Sequence, residues 1–213
     1  KILCYTKYDA FHNLWCFKYN EHKNPSQSKK LTDGTTFFNM PAISPDGSKI
    51  AVVHKSNIFI ISVNGDSMKQ LTFLNSPCRS PSWSPTGKEI AFLSGSKLYT
   101  ISSEGGSPSI LMDKDVGRYV YWESNSEIFY HNVGNRNFYI FNPVTRKNKL
   151  LVSNDSVGWI SNPRLSPDNS SIAVFWNRGP LGIEKGLWSI SRKDSSQKLI
   201  LAGQVYPLKW SKD

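Results

Sequence analysis

The sequence lacks any apolar run near the roughly 18 residues that a membrane-spanning helix requires. Cysteine is also scarce, with three among 213 residues, which excludes a fold held mainly by disulfides. Hydrophobic residues nevertheless make up 38% of the chain and aromatic residues 13%, too many for a disordered segment. We therefore expect a folded domain with its own core and no membrane insertion by this segment, so that any anchor would come from flanking sequence.

Acidic residues are few relative to basic ones, 16 against 26, which gives a formal net charge of +10 and raises the expectation of an anionic partner. Seven lysines flank or occupy the predicted outermost strands, where lysine opposes edge-to-edge pairing of sheets: Lys29, Lys30, Lys69, Lys147, Lys149, Lys193 and Lys198. A nucleic-acid interface would need a continuous basic track with stacking aromatic side chains. The basic residues are scattered instead, and we do not expect a nucleic-acid partner.

No helical stripe of apolar residues persists for three turns. Apolar residues cluster instead in short runs between Gly, Pro, Asn and Ser, as in Ile58–Ile61. This pattern is typical of short strands joined by turns, and it predicts an all-β fold.

A turn followed by a strand recurs along the chain. The copies are Pro41–Gly47 with Lys49–Val53, Pro81–Gly87 with Glu89–Leu93, the degenerate Tyr121–Ser126 with Glu127–Tyr130, and Pro163–Asn169 with Ser171–Phe175. Proline presets φ at the second position of a tight turn, and Gly or Asn tolerates a positive φ. Each copy therefore predicts a β-hairpin.

Two more predicted strands follow each hairpin. The third strand carries an aliphatic–aromatic pair such as Leu98-Tyr99, and the fourth is centred on a leucine. These leucines are Leu31, Leu71, Leu111 and Leu151, at intervals of 40 residues, and Leu201, 50 residues further on. Four strands per unit of this length are the signature of a β-propeller blade.

We therefore predict a single five-bladed β-propeller of four-stranded antiparallel blades over residues 1–213. The predicted blades are residues 1–34 with 205–213, 35–74, 75–114, 115–154 and 155–204. The first unit has no first strand, and Pro207–Asp213 has the pattern of a first strand alone, so we expect this C-terminal strand to complete the N-terminal blade and close the ring. The alternative is a portion of a longer array.

The succession Pro81-Ser-Trp-Ser-Pro-Thr-Gly87, Ile90-Ala-Phe92, Leu98-Tyr99 and Leu71-Thr72 resembles the WD40-like β-propeller repeat of TolB-like proteins. The resemblance covers essentially the whole chain. It implies a propeller and an extracytoplasmic, periplasmic or secreted location. It does not imply one function, because the repeat occurs in translocation-system proteins, sensor ectodomains and gating domains of prolyl oligopeptidase relatives.

Common catalytic constellations are missing from the sequence. There is no Gly-x-Ser-x-Gly motif, and the four histidines have no metal-ligand spacing. Five-bladed glycosidases place paired carboxylates at the ends of the innermost strands, but stretches such as Val120–Trp122 and Pro163–Leu165 carry no acid. Asp46 and Asp168 are expected to form turns. We predict no catalytic residue, no metal and no cofactor.

Two of the cysteines, Cys4 and Cys16, lie on consecutive predicted strands. The analogous hairpin in the third unit is predicted to pair Phe92 with Thr100, and the same register puts Cys4 directly opposite Cys16. A cross-strand disulfide is conceivable in an oxidising compartment, and two reduced strand cysteines are the alternative. Cys78 is left over as a loop or core thiol.

Connectors between units and loops between the second and third strands are expected on one face, the usual ligand side of propellers. Six basic or aromatic residues there are candidate ligand contacts: Phe38, Arg79, Arg118, Tyr119, Trp159 and Tyr206. Such residues suit a protein segment, a glycan or a small anionic ligand. Acidic residues such as Asp33 and Asp115 make the face only mildly positive, and ordinary loop composition is the alternative reading.

The sequence as a whole favours a non-catalytic binding or sensing module with a protein or peptide partner. A lectin-like propeller is the first alternative, although it would repeat the same residues at equivalent loop positions, and Phe38, Arg79 and Tyr119 differ in chemistry. A glycosidase or lyase is the second alternative, and it would need three carboxylates converging at the axis.

Overall fold

The computed structural model describes residues 2–8, 12–18, 28–153, 158–179 and 183–207. Within these ranges every regular element is a β-strand, which confirms the all-β class. The first three sheets consist of β1 (Ile2–Tyr8), β2 (His12–Lys18) and β3 (Lys29–Lys30); β4 (Phe38–Ile43), β5 (Lys49–His54), β6 (Asn57–Ser62) and β7 (Met68–Gln70); and β8 (Cys78–Trp83), β9 (Glu89–Ser94), β10 (Lys97–Ser102) and β11 (Ser109–Met112). The last two consist of β12 (Val116–Ser124), β13 (Glu127–Asn132), β14 (Phe138–Phe141) and β15 (Asn148–Val152); and β16 (Ile160–Leu165), β17 (Ser171–Arg178), β18 (Glu184–Ser191) and β19 (Gln197–Ala202).

These strands form five antiparallel sheets, which we number 1 to 5 along the chain. Sheets 2 to 5 have four strands each, paired in sequence order, as predicted for each blade. Sheet 1 has three strands in the described residues. The strand predicted to complete it falls on residues 208–213, which lie outside the described part of the chain, so closure stays a prediction.

The chain divides into two compact units. Unit 1, Lys1–Lys114, contains sheets 1 to 3, and unit 2, Asp115–Asp213, contains sheets 4 and 5. Within each unit the core lies between successive sheets. Leu14 of sheet 1 packs with Ile50 of sheet 2, and Phe129 of sheet 4 packs with Val174 of sheet 5 in a separate cluster.

The repeated turns have the structure that their residues predict. The carboxylate of Asp46 accepts hydrogen bonds from Ser44 Oγ (2.6 Å) and from the backbone N–H of Ser48 (3.0 Å), and Gly47 has a φ of +74°. Asp168 makes the same bonds in the fourth copy. Both carboxyl groups have a pKa lowered to about 2, because serine hydroxyl and backbone N–H groups stabilise the ionised form. Their expected role as turn formers is confirmed.

In sheets 2, 3 and 5 the innermost strand begins three residues before the proline that opens the repeated turn segment. Met40, Ser80 and Asn162 have φ of +52°, +53° and +53°, each directly before a proline, and the strand register shifts at these places. Each is a β-bulge, which leaves one residue unpaired without ending the strand. Proline therefore marks a bulge inside the innermost strand.

The Leu-Thr pairs end the last described strand of sheets 1 and 2 in the same way. The N–H of Leu71 donates to Ile58 O, and the N–H of Ile58 donates to Thr72 Oγ1, both over 2.8 Å. Leu31 and Thr32 make the equivalent bonds with Leu14. The threonine hydroxyl thus replaces a backbone acceptor where the ladder ends.

Two register predictions were wrong by one residue. Phe92 pairs with Tyr99 and not with Thr100. In sheet 5, Leu187 pairs with Leu201 and Trp188 with Leu199, so the bulged residue between them is Ile200. Leu151 is the bulged residue of sheet 4, between Leu150 and Val152. Ile200 and not Leu201 is therefore its equivalent. The sequence between Arg178 and Gly186 is longer than in the other units, which hides the phase of the repeat.

The cysteine register is confirmed, since Cys4 lies opposite Cys16 in the β1–β2 pair. Directly opposed residues of antiparallel strands have Cα atoms about 4.5–5.5 Å apart, within the range of a disulfide. Cys16 is disulfide-bonded. The Cys4 side chain lies outside the described side chains, so its assignment as the bonded partner stays a prediction. Cys78 is a free, buried thiol, as expected of a core cysteine.

Candidate functional site

A small pocket between sheets 4 and 5 brings together residues that the sequence suggested. We call it the Trp159 pocket; its volume is about 140 Å³. Its lining consists of Tyr119, His131, Trp159, Ile160, Ser161, Phe175 and Asn177. Tyr119 and Trp159 are candidate contacts from the sequence, and the ring of a third candidate, Tyr206, lies 4.4 Å from that of Phe175. Three of the six candidates therefore gather around one pocket.

The wall formed by Trp159 is fixed by backbone contacts with the end of β17. The N–H of Trp159 donates to Asn177 Oδ1, and the N–H of Asn177 donates to Trp159 O over 3.3 Å. Gly158 allows this approach, because a Cβ at that position would lie 2.5 Å from Asn177 O. Glycine is required here by sterics, and the Asn side chain substitutes for a missing strand partner.

His131 lines the pocket and contacts backbone groups on two segments of the chain. Its Nδ1 lies 3.1 Å from Arg136 O, and the N–H of Ile160 donates to Nε2 over 2.9 Å. Burial lowers the pKa of His131, which favours the neutral imidazole. Nε2 thus contacts the pocket wall at Ile160, and Nδ1 contacts the loop after β13 at Arg136.

The rim of the pocket is positively charged. The guanidinium of Arg136 lies 5.3 Å from the centre of the Trp159 ring, within the range of a cation–π interaction. The His131 ring meets the same indole edge to face at 5.5 Å. The result is an aromatic pocket with a cation at its edge and the exposed rings of Tyr119 and Tyr206 beside it.

The position in unit 1 that corresponds to Ser161 is an arginine, Arg79. Arg79 pairs with Leu93 in sheet 3 as Ser161 pairs with Phe175 in sheet 5, so the two residues are equivalent. Arg79 Nη2 donates to Gly95 O over 2.5 Å. This candidate contact therefore uses a guanidinium nitrogen to bond its own sheet.

Phe38 requires a correction, because it is buried and not presented to a ligand. It is 4% exposed, and its ring stacks on that of His54 with the centroids 4.1 Å apart. The neighbouring Phe37 is the exposed ring. Phe38 is the first residue of β4 and belongs to the core between sheets 1 and 2. The side chain of Arg118, on β12, lies outside the described side chains, and that candidate stays a prediction.

Sequence reasoning missed a polar cluster on the innermost strands of unit 2. Arg164 on β16 forms a 3.2 Å ion pair with Glu123 on β12, and its guanidinium lies 6.0 Å from the Tyr121 ring centre. The N–H of Asn162 donates to Tyr121 Oη over 3.0 Å. Burial raises the pKa of Glu123 and raises that of Tyr121 to about 12.

A signal for this cluster was present in the sequence. Glu123 stands where the other copies have a turn serine, such as Ser84. The acid lies one residue beyond the stretch in which acids were sought. Among the described residues, no three His, Cys, Asp or Glu side chains come together as a metal site would require, and no helix there is long and apolar enough to span a membrane.

Comparisons with known proteins agree on the architecture. The model of the dipeptidyl peptidase IV N-terminal region, a propeller domain, matches residues 5–77. TolB from Acinetobacter baumannii superposes with a TM-score of 0.70 at 18% identity over 92% of this chain, and nidogen from a nidogen/laminin complex with 0.74 at 9% identity over 98%. The fold is that of a β-propeller.

The comparisons do not decide the chemistry. Oligogalacturonate lyase from Vibrio parahaemolyticus also superposes, with a TM-score of 0.67 at 11% identity over 93% of this chain and 61% of its own. This chain spans 50% of the A. baumannii TolB and 80% of the nidogen chain. No curated protein matches it in sequence. The neighbours include a named enzyme, so the site itself must carry any functional argument.

Proposed function

We propose that this chain is a binding module in which the Trp159 pocket receives one apolar side chain of a partner polypeptide. The observation that carries the proposal is the convergence of Tyr119, Trp159 and Phe175 on one cavity. Its 140 Å³ resemble the cavity of about 150 Å³ that holds a benzene ring, whereas pockets for whole small ligands measure about 300–1,000 Å³. The volume suits a single anchoring side chain.

The surroundings of the pocket suit a protein interface. Binding hot spots are enriched in Trp, Tyr and Arg, and Trp159, Tyr119 and Arg136 supply these three types side by side. Nidogen, which has a similar fold, was solved in complex with the protein laminin. This similarity supports a protein partner for the present chain.

Selection from a random peptide library on the immobilised protein tests the proposal. We expect enriched peptides to share an aromatic or branched aliphatic anchor, and to lose at least tenfold in affinity for Trp159→Ala. Val144→Ala, which changes an exposed side chain elsewhere in unit 2, is the control and should bind normally. Peptides that bind the Trp159→Ala protein unchanged would refute the proposal.

A lectin-like function is the second candidate, because the exposed Tyr119 ring beside Trp159 could stack on the apolar face of a sugar. A glycan array probed with the wild type and with Trp159→Ala distinguishes the two. Glycan binding that depends on Trp159, without peptide enrichment, would favour the lectin.

We also infer an extracytoplasmic location and a single closed propeller of five blades. The repeat resemblance supports both, and the disulfide state of Cys16 supports the first, because disulfides persist in oxidising compartments. Peptide mapping of the non-reduced protein tests the pairing: we expect a Cys4–Cys16 peptide, and free Cys4 would contradict it.

A further inference from the structure

A second cavity lies within unit 1, between the repeated turns of sheets 2 and 3. We call it the turn pocket, because residues 44–46 and 85–88 of these two turns line it. Its volume is about 660 Å³, within the range of about 300–1,000 Å³ that is typical of pockets for whole small ligands. The proline rings of both turns and the buried Trp83 form part of its wall, and the indole N–H of Trp83 donates to Ala42 O over 2.9 Å. The turn pocket therefore has an apolar wall that is fixed to the sheets.

The acidic side chains of the turn pocket already have donors within unit 1. Glu104 Oε1 accepts from Lys49 Nζ over 3.1 Å. The carboxylate of Asp46 accepts from the Ser44 hydroxyl and from both the N–H and the hydroxyl of Ser48. Both carboxylates are therefore engaged by the fold itself.

Two donors of the turn pocket, in contrast, are not engaged. They are the ammonium group of the exposed Lys88 and the hydroxyl of Ser103, a residue that is only 8% exposed. Within the described part of the chain, neither group has a hydrogen-bond or ion-pair partner. The N–H of Ser103 donates to Lys88 O over 2.9 Å, so the two side chains arise from neighbouring backbone positions. Polar groups of buried residues are normally hydrogen-bonded, and a ligand with acceptor atoms would satisfy both donors.

Unit 2 carries a long cationic side chain at the position of Ser103. Ser103 corresponds to Arg192, because each donates its N–H to the last residue before the second strand of its sheet, Lys88 in one case and Ser170 in the other. The Arg192 guanidinium reaches the neighbouring sheet, where it donates to Glu127. Ser103 is too short to make such a contact in unit 1, and it lines a cavity instead.

The acceptors of that guanidinium have counterparts in the turn pocket. Glu127 is the first residue of β13, and the first residue of β5 is Lys49. Asn169, whose carbonyl accepts from Arg192 over 3.2 Å, occupies the position of Gly87 in the repeated turn. Lys49 and Gly87 both line the turn pocket. The acid that binds a cation in unit 2 is therefore a lysine in unit 1, which favours an anion at this place.

We propose that the turn pocket binds a small molecule through an anionic group, either a carboxylate or a phosphate ester. Lys88 Nζ and Ser103 Oγ donate to the anion, Lys49 adds positive charge, and the proline and tryptophan rings contact the apolar remainder of the ligand. Lysine binds both kinds of anion through charge-assisted hydrogen bonds. An apolar wall with a few convergent polar groups is the usual composition of a small-molecule site.

Saturation-transfer difference NMR with matched fragments tests the proposal. Benzoate and phenyl phosphate carry the two anions on an aromatic ring, and benzamide and benzyl alcohol are the neutral counterparts. We expect at least one anion to bind, and to bind at least tenfold more tightly than its neutral counterpart. Preference between benzoate and phenyl phosphate then assigns the anion as carboxylate or phosphate. Equal binding of anions and neutral fragments, or no binding of either anion, would overturn the proposal.

Variants locate the bound fragment. Lys88→Glu should weaken anion binding at least tenfold, and Ser103→Ala about threefold through one lost hydrogen bond. Lys193→Glu makes the same charge change at an exposed lysine of unit 2 and should bind as the wild type does. Trp159→Ala should also bind the anion normally, so this result is independent of the Trp159 pocket. Unchanged affinity in Lys88→Glu, or an equal loss in Lys193→Glu, would refute the turn pocket as the site.

Discussion

Units 1 and 2 place different residues at one equivalent position of the backbone repeat. On the first strand of sheet 3, Arg79 Nη2 donates to Gly95 O, whereas Ser161 at the equivalent place in sheet 5 lines the Trp159 pocket. The backbone register is the same in both. An arginine that bonds its own sheet in unit 1 thus corresponds to a serine that lines a candidate site in unit 2.

The ion pairs between sheets show a second contrast. In unit 1, Lys49 at the start of β5 pairs with Glu104 in the turn after β10, over 3.1 Å. In unit 2, Glu127 at the start of β13 pairs with Arg192 in the turn after β18. The polarity is reversed, and the unit 2 pair is mostly buried whereas the unit 1 pair is largely exposed. Burial makes the loss of one partner costly, since it strands the other charge.

The largest expected effect comes from removing one partner of the buried ion pair in unit 2. Arg192→Ala should lower the free energy of unfolding by about 2–3 kcal/mol, somewhat less than for a fully buried pair, because Glu127 loses its partner. Lys49→Ala should cost about 0–1 kcal/mol, because solvent screens the exposed pair. Urea unfolding of both variants measures the difference. Equal losses would show that the two pairs are energetically alike.

The second-largest effect is expected when Arg79 and Ser161 are each replaced by the residue at the other position. Ser161→Arg places a guanidinium where the pocket opens, and we expect it to reduce the affinity for selected peptides at least tenfold, or about 1.4 kcal/mol. Arg79→Ser, in unit 1, should leave peptide affinity unchanged and cost about 1 kcal/mol of stability through the lost bond to Gly95 O. Isothermal titration and urea unfolding measure the two effects. Normal peptide binding by Ser161→Arg would place the site elsewhere.

The repeated turns, by contrast, should behave alike in both units. The pKa of Asp46 and of Asp168 is lowered to about 2 in the folded chain from 3.8. A lowered folded pKa contributes stability above the unfolded value, and this contribution is lost as the pH falls from about 4 toward 2. Asp46→Asn and Asp168→Asn should therefore each show a weaker loss of stability than the wild type between those pH values, measured by urea unfolding. A difference between the two variants would show that the turns are not equivalent.

The smallest expected effect concerns two lysines to which the sequence assigned a role against edge pairing. Lys29 Nζ donates to Asn64 O and Lys69 Nζ to Glu104 O, each in the turn of the next sheet of unit 1. Lys29→Ala and Lys69→Ala should each lower the free energy of unfolding by about 0.5 kcal/mol, as expected for exposed hydrogen bonds. Thermal unfolding at low and high salt would test whether these bonds are screened.

The pattern of turns and strands was predictable from the sequence because local chemistry determines it. Pro, Asp and Gly at fixed offsets define the turns, and apolar runs define the strands on either side. Tyr119, Trp159 and Tyr206 were predictable as a group because all three fall in or beside connectors of unit 2. Their convergence depends on how neighbouring sheets pack, which sequence spacing alone does not contain.

The features that the sequence predicted wrongly or missed depend on tertiary structure and not on local chemistry. Phe37 and Phe38 are adjacent, and which ring enters the core depends on the phase at which β4 begins. Leu201 was predicted in place of Ile200, one residue too far along, because the stretch between Arg178 and Gly186 is longer than in the other units. Glu123 was missed because its partner Arg164 is 41 residues away and meets it only when two sheets pack. Side-chain phase and contacts between sheets are tertiary properties.

The most direct test of the central claim is fluorine NMR of protein labelled with 5-fluorotryptophan, titrated with N-acetyl-phenylalaninamide as a single aromatic anchor. The Trp159 resonance is assigned by its loss in Trp159→Phe. We expect a saturable shift of this resonance in the wild type and no shift in Ser161→Arg. A Trp159 resonance that does not respond in the wild type, or that responds equally in Ser161→Arg, would contradict the assignment of the Trp159 pocket as the binding site.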